Sequence, residues 1–492
     1  MKQWAQFRIL LIRVIKRNIV SWPRDWENIY EKLDEKQRNL AELASIYGLK
    51  SPVVQRLQNQ LIKSLTFRLV AVHNITLKID KNPCRKKDNF NFCFNSKLEI
   101  VEKLKNLETY KISPLKKRDY NKKLLHSSIL WDQAVQNLFK LVIEPIVEVA
   151  VNANNSGFRY NRSAHQTLII LRTILRNRKN IENLIIFEAS ITSFFEKLSR
   201  RWLLTYFPVS NKYKHVLSSW LESRIIFNPY SNRDYVNKFK EDSISSLLIS
   251  FMLSGLEDAT KKYLSLSILL NQDRSSIDNM LDKSIRKTLY FSRYAGDFII
   301  MGYNKQILTS YTKSAVEHFL RIRGLRLSTN KIRVYSLVEE SLQFLGYDFI
   351  FNKNWQNLRK NYQSKIVLIP NKKKFYTFTC KIKKFIKTSI HLTAAAIIRK
   401  INPIMIAWRR YFYLGQSYKY REILKKYLFQ LCWNWARRKH SKWGKCAIAR
   451  TYFIGQNYKF KGKKWIFFSK IDSQFRYAKN IAKNEIYLHL ST

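Results

Sequence analysis

The feature that most constrains the fold is the stretch YFSRYAGDFIIMGYN at residues 290–304. An aromatic run feeds a turn at Ala295 and Gly296, and the apolar Phe298, Ile299, Ile300 and Met301 follow Asp297. Two strand-forming runs joined by so short a glycine-containing turn pair as an antiparallel hairpin. Upstream, NLIIFEASITSFF at residues 183–195 reads as a buried strand running into a loop. Segments of helical period flank both, so the chain must combine helices with a sheet. Asp297 is the carboxylate at this turn, and Gly296 before it carries none.

Charge limits what such a chain can bind. The 492 residues hold 90 Lys and Arg against 35 Asp and Glu, a formal charge of +55 and a pI near 10.2. Self-repulsion on that scale favours a polyanionic partner, with nucleic acid first and an anionic membrane surface second. The basic residues spread along the whole chain instead of clustering beside one anchor, which argues against the membrane. No apolar run approaches the roughly 20 residues of a membrane span, and the longest, residues 247–256, contains Ser250, Ser254 and Gly255. At 46% hydrophobic and 14% aromatic content, packed cores are expected. Cys84, Cys93, Cys380, Cys432 and Cys446 form no CxxC pair and have no His at zinc-ligand spacing, so they read as reduced thiols. Residues 1–24 lack any acid and place Phe7, Leu10, Leu11, Val14 and Ile15 on one helical stripe. A transit peptide and an ordinary basic amphipathic helix both fit that pattern.

Along the chain, residues 39–76 read as helical, with Val54, Leu57, Leu61 and Leu65 on a stripe and Arg56, Lys63 and Arg68 off it or beside it. A polar basic stretch at 80–123 holds one expected helix at 97–107, and residues 131–150 are helical. SGFRYNRSAHQTLIILRTILRNR, residues 156–178, is a turn leading into a helix. Residues 260–289 read as a polar, mainly helical insertion, 309–323 as a helix and SLQFLGYDFIF, residues 341–351, as a closing strand. The apolar pattern lapses at 353–365, and beyond it come three long basic helical stretches.

In order, these segments resemble the group II intron maturases, which join a reverse-transcriptase module to a maturase domain. LQNQLIKSLTFRLVAVHNIT is similar to the family's N-terminal helix, and Asp132, Gln136, Glu144 and Pro145 fall on its next signature. NNSGFRYNRSAH resembles the family's NSYGFRPGRSAH, FEASITSFFE its first palm motif and SLLISFMLSGLE the helix after its template-gripping turn. LSTNKIRV and QFLGYDF resemble the end of the palm. IIRKINPIMIAWRRYF and LCWNWARRKHSKWGKCAIARTYF are similar to the thumb and maturase region. The resemblance implies an α+β fold: a right-hand polymerase-like fingers and palm in degenerate form, followed by an all-α thumb and maturase domain. The implied domains are 1–50, a basic helical extension; 51–130, N-terminal helices and fingers; and 131–352, the palm with its insertion at 260–289. Then follow 353–374, a basic linker; 375–455, the thumb and maturase domain; and 456–492, a basic tail.

The departures from the family bear on mechanism. Polymerisation there uses two Mg²⁺ ions held by aspartates, one on the first palm strand and two at the hairpin turn, and each lost carboxylate removes charge and a hard ligand. Here those positions are Ser190, Gly296 and Asp297, so a single carboxylate is left. Glu188 shares the face of Ser190, but two residues along a strand span about 6.6 Å, too far to take over the role. The family's PQGG turn is FKED at 239–242, and its fingers segment GKLRPLGIP is compressed to KKLLHSSIL at 122–130. The expectation is a scaffold without a catalytic residue or protein-bound metal, Ser190, Gly296 and Asp297 being relic positions. Residues 466–492 show no paired His and Asn or Cys cluster of the family's nuclease.

A maturase needs no catalytic side chain, because the intron is itself a ribozyme. The expected partner is group II intron RNA, and the expected cofactor is none on the protein, Mg²⁺ being used by the RNA. Phosphate neutralisation and base stacking are what the chain must supply. Arg437, Arg438, Lys439, His440, Lys442, Trp443, Lys445 and Arg450, interleaved with Trp433, Trp435 and Tyr452, have that composition, with Trp433 read as core. Arg56, Lys63 and Arg68 lie where the family docks its intron stem-loop; a solvated helix face is the other reading. Arg159 and Arg162 are read as structural or RNA-touching, and His165 as a satisfied turn residue. An active reverse transcriptase with Glu188 and Asp297 rearranged, and a general RNA chaperone, stay open as alternatives. The scarcity of glycine (11) and the wealth of Lys, Asn, Ile and Phe suit an A+T-rich genome and an organelle; the family's degenerate members point to a plastid before a mitochondrion. The sequence leaves the oligomeric state open, a dimer included.

Overall fold

The computed structural model describes residues 22–23, 25–81, 94–112, 122–152, 155–157, 159, 162–177, 181–192, 198–222, 244–270, 289–352, 366–453, 459–460 and 463–464. They divide into two compact units, one within Met1–Thr167 and Leu184–Tyr335, the other within Leu168–Asn183 and Ser336–Thr492.

The first unit opens with α1 (Trp26–Tyr47), α2 (Pro52–Lys63), α3 (Leu65–Lys81), α4 (Phe94–Lys103) and α5 (Lys122–Ala150). Capping explains the early boundaries: Asp25 accepts from the Asn28 amide and Ser51 from the Val54 amide, with Pro52 in the first turn of α2. The stripe expected from Val54 to Leu65 ends early, because Ser64 is extended between α2 and α3 and leaves Leu65 exposed. Helix α5 runs unbroken across the boundary expected at Leu130, so KKLLHSSIL forms its first turns. Helix α6 (Ala164–Asn177) follows, counted with the second unit from Leu168 on, and the first unit resumes before strand β1 (Ile185–Thr192). Next come α7 (Arg200–Tyr206), α8 (Lys214–Glu222), α9 (Ser245–Met252) and α10 (Leu256–Leu270).

Strands β2 (Tyr290–Tyr294) and β3 (Asp297–Gly302) form the hairpin read from sequence. They join a five-stranded sheet of order β2-β3-β1-β4, with β4 at Arg326–Leu327, while β5 (Arg333–Ser336) also pairs with β1. Helix α11 (Lys313–Ile322), led in by a wider π turn at Ile307–Thr312, precedes β4. One continuous core unites this sheet with the helices, from Phe67 and Phe139 to Phe187, Trp220, Phe298 and Ile300.

In the second unit the expected closing strand is instead two strands, β6 (Leu342–Phe344) and β7 (Tyr347–Phe351). Leu345 and Gly346 both take positive φ, 50° and 83°, which reverses the chain in two residues. β8 (Ile366–Pro370) pairs with β7 and α12 (Lys372–Thr388) starts just after it, so the stretch expected as a linker at 353–374 contains sheet and helix. Helices α13 (Ala394–Tyr411), α14 (Ser417–Lys439) and α15 (Lys445–Tyr452) complete the unit around a second core that includes Ile386, Ile397, Leu428 and Trp435. The last long basic stretch is thus two helices, interrupted at His440–Gly444, where Gly444 caps α15 in extended geometry. Short strands β9 (Lys459–Phe460) and β10 (Lys463–Lys464) pair beyond it. Of the extension expected at 1–50, residues 1–21 lie outside the described residues, as do the FKED segment and the tail after Lys464.

Candidate nucleic-acid interface and the hairpin site

Pairing of β1 with β3 sets Ser190 directly opposite Asp297. The turn between β2 and β3 carries Ala295 at φ +56°, a left-handed geometry that side chains rarely adopt, and the Gly296 carbonyl accepts from the Ile191 amide at 3.0 Å. The three positions singled out by sequence therefore meet at one place, where Asp297 is the exposed carboxylate and Ser190 is buried. Glu188 is engaged elsewhere: its carboxylate accepts from Arg333 at 2.7 Å and from the Tyr335 hydroxyl at 3.1 Å. Sequence reasoning gave Glu188 to the fold without its partners, which lie 145 and 147 residues away.

Asn155, Ser156 and Gly157 buttress this hairpin. Asn155 bridges to Arg293 and the Ser156 amide donates to the Arg293 carbonyl at 3.2 Å. Gly157 sits so close that a Cβ there would lie 1.9 Å from the Ala295 nitrogen. Arg159 forms a bidentate pair with Glu148 and also donates to the carbonyls of Asn152 and Asn155. That resolves Arg159 as structural, whereas Arg162 is only half-buried. Burial lowers the Arg293 guanidinium to about 9, with Arg159 adding repulsion. Among the described residues no group of three or more His, Cys, Asp or Glu is placed to hold a metal ion.

The basic cluster has a different construction. Arg437, Arg438 and Lys439 occupy the last turn of α14, where the helix dipole favours cations. The interruption that follows exposes Lys442, Trp443 and Lys445. Some of these donors are spent internally: Arg438 donates to the Lys387 carbonyl at 2.8 Å, and the Lys439 ammonium to the carbonyls of Ile390 and Leu392. His440 is held by Tyr452 at 2.7 Å and stacks on Trp443, centroids 3.9 Å apart and planes 15° off parallel. Trp443 is 44% exposed, while Trp435 and Tyr452 are buried and belong to the core, so stacking on a partner from those two is excluded. Trp433, expected in the core, is half-buried at its edge against Phe429 and Phe453. Arg450 lies on α15, and its side chain is outside the described residues.

Between α12, the end of α14 and the start of α15 lies an open concavity of about 730 Å³. Arg437, Arg438, His440, Trp443 and Lys445 line it, joined by Lys383 and Lys387, and no carboxylate does. Lys383 and Lys387 were missed as site residues; their i, i+4 spacing on a basic helix was the available signal. From 376 to 453 the sequence has 18 Lys and Arg and one acid, Glu422. Glu422 lies 15 residues before Arg437 on α14, about 22 Å along the axis. Cys432 is buried in this unit, and burial pushes its thiol up to about 12.

At the N-terminus, Arg56 and Lys63 are exposed on α2. Arg68 departs from the expectation: it is buried, donates to the carbonyls of Lys63 and Val101, and pairs with Glu102 at 3.5 Å. Its burial outweighs the pull of Glu102 and lowers its pKa. It holds α3 against α4 and has no face for a ligand.

Residues 376–453 match the family of the group II intron, maturase-specific domain. Over 461 residues the chain is 22% identical to "Maturase-like protein 1" of Euglena gracilis, covering 90% of this chain and 88% of that protein. It is also 23% identical over 262 residues to an "Uncharacterized 91 kDa protein in cob intron" of Schizosaccharomyces pombe, covering 45% of this chain and 32% of that one.

Proposed function

This chain carries a group II intron maturase-specific domain, and from that premise we propose that it is an RNA-binding splicing cofactor. It binds a group II intron in precursor RNA and stabilises the fold in which the RNA performs its own Mg²⁺ chemistry. The carrying observation is the acid-free concavity on the matched residues, where cations from α12, α14 and α15 converge. Such a surface neutralises phosphates whose mutual repulsion opposes RNA compaction. Arg56 and Lys63 on α2 supply a second contact region.

In this reading the sheet around β1 and β3 is a polymerase palm retained as scaffold, α1 to α5 belong to the N-terminal and fingers region, and α12 to α15 to thumb and maturase domain. DNA synthesis is lost, since Ser190 and Gly296 offer no ligand beside Asp297 and Glu188 is held by Arg333 and Tyr335. The protein itself needs no bound cofactor for this role. No helix among the described residues is long and apolar enough to cross a membrane. Service is in an organelle, a plastid before a mitochondrion.

The test pairs two assays on one preparation: splicing of an intron-bearing precursor at low Mg²⁺ with and without protein, and primer extension on a generic template. Splicing that rises while extension stays at background supports the reading. Extension abolished by Asp297→Ala would instead establish a rebuilt metal site.

A further inference from the structure

We propose that the concavity beside Trp443 receives one unpaired nucleotide of the RNA, its base on an apolar floor and its phosphates on the cationic rim. This deepens the function proposed above and rests on it. A purely electrostatic duplex-binding face needs cations and nothing else. Here the accessible apolar groups of the floor are the half-buried Leu431 and the exposed Trp443, while Ile386, Trp435 and Ile448 line it as buried core residues. A paired stem presents phosphates, hydroxyls and shallow base edges, none of which gains from an apolar floor, whereas a base turned out of its stack does.

Size and order point the same way. About 730 Å³ falls in the range of about 300–1,000 Å³ in which small-molecule ligands are held, enough for a base, its sugar and a flanking phosphate. The aromatic wall is already in place: Tyr452 holds His440, and His440 stacks on Trp443. A wall fixed before binding loses less side-chain freedom on binding. Stacking on such a ring is open to any base, since each has a π-face. The rim supplies the phosphate contacts through Lys383, Lys387, Arg437 and Lys445, and the Arg438 bond to the Lys387 carbonyl ties α12 to α14 across it.

The experiment uses the full chain and two RNA hairpins with identical stems, one fully paired and one with a single bulged 2-aminopurine. Binding is followed by anisotropy and the bulged base by its own fluorescence. The expected result is roughly tenfold tighter binding of the bulged hairpin, a factor equal to about 1.4 kcal/mol, with the fluorescence quenched in the complex. Trp443→Ala should bring the ratio of the two affinities close to one, and Trp443→Phe should restore part of it. Equal wild-type affinities with unquenched 2-aminopurine would overturn the proposal, as would a Trp443→Ala protein that keeps the wild-type ratio. If neither hairpin binds, RNA binding itself fails and takes the nucleotide site with it. If both bind equally, only the nucleotide site falls.

Discussion

The hairpin sheet and the basic helices treat their charged groups in opposite ways. Around the hairpin, charged side chains find partners within the chain: Arg159 with Glu148 and Arg333 with Glu188. On α12, α14 and α15, cations line a shared hollow without a carboxylate among them. A region that satisfies itself behaves as scaffold, since leaving a buried charge unpaired is costly. A region whose charges are left facing solvent is stable only as far as water and counterions screen it, and it gains most from a polyanion.

The largest effect that could break this contrast lies at the scaffold. Gly157→Val would drive a side chain into the backbone of Ala295 and Tyr294, neither of which can yield. Overpacking against backbone should destabilise the first unit by about 3 kcal/mol or more. Denaturant unfolding would read it as a lower midpoint, and a loss under about 1 kcal/mol would mean that Gly157 does not pack on the hairpin.

Next in size is the removal of charge from the opposite region. The triple variant Arg437→Ala, Lys442→Ala, Lys445→Ala should weaken intron binding by about 2 kcal/mol, roughly 30-fold. Its salt dependence should fall by about one unit of log–log slope per cation removed. Asp297→Ala is the matched control and should leave affinity and slope as they were. A triple variant with unchanged slope would remove the concavity from the interface.

How much of this was legible beforehand depended on the range of the interaction. The hairpin was readable because period-two alternation and a short turn act locally, whereas the register that sets Ser190 opposite Asp297 joins two distant segments and was not. The basic run at 437–442 was readable from composition. Arg68 was not: on a helical wheel it looks like Arg56, and the Val101 carbonyl and Glu102 on α4 draw it inside. The break at His440–Gly444 was hidden because helical period continues on both sides of it. Leu345 misled for a related reason, since a leucine at positive φ contradicts its own preference and turns one expected strand into two.

A smaller effect sharpens what the scaffold retains. Ser190→Asp with Gly296→Asp would put two new carboxylates beside Asp297, one directly across the strand pair. Like charges so placed should cost about 1 kcal/mol. If β1 and β3 keep a metal-competent frame, millimolar Mg²⁺ should recover that loss in the variant and not in the wild type, read as a shift in Tm. No recovery would mean that the frame holds its strands but not a ligand geometry.

The smallest effect concerns His73 in the scaffold, whose ring lies flat on Trp26 with centroids 3.5 Å apart. Its Nδ1 is buried with no hydrogen-bond partner among the described residues. Desolvation first, and the nearby Lys97 ammonium second, lower its pKa below the ordinary 6.5. The folded state therefore binds this proton less readily than the unfolded chain does. The stability contributed by the neutral ring is complete above 6.5 and is lost as pH falls through the lower folded value. His73→Phe keeps an aromatic ring on Trp26 and cannot titrate. Comparing unfolding midpoints of the two proteins between about pH 7.5 and about pH 5 should show the wild type losing ground to the variant as the solution is acidified. Parallel curves would mean that His73 meets water in the folded state, and that the self-satisfied region is less closed than its hydrogen bonds imply.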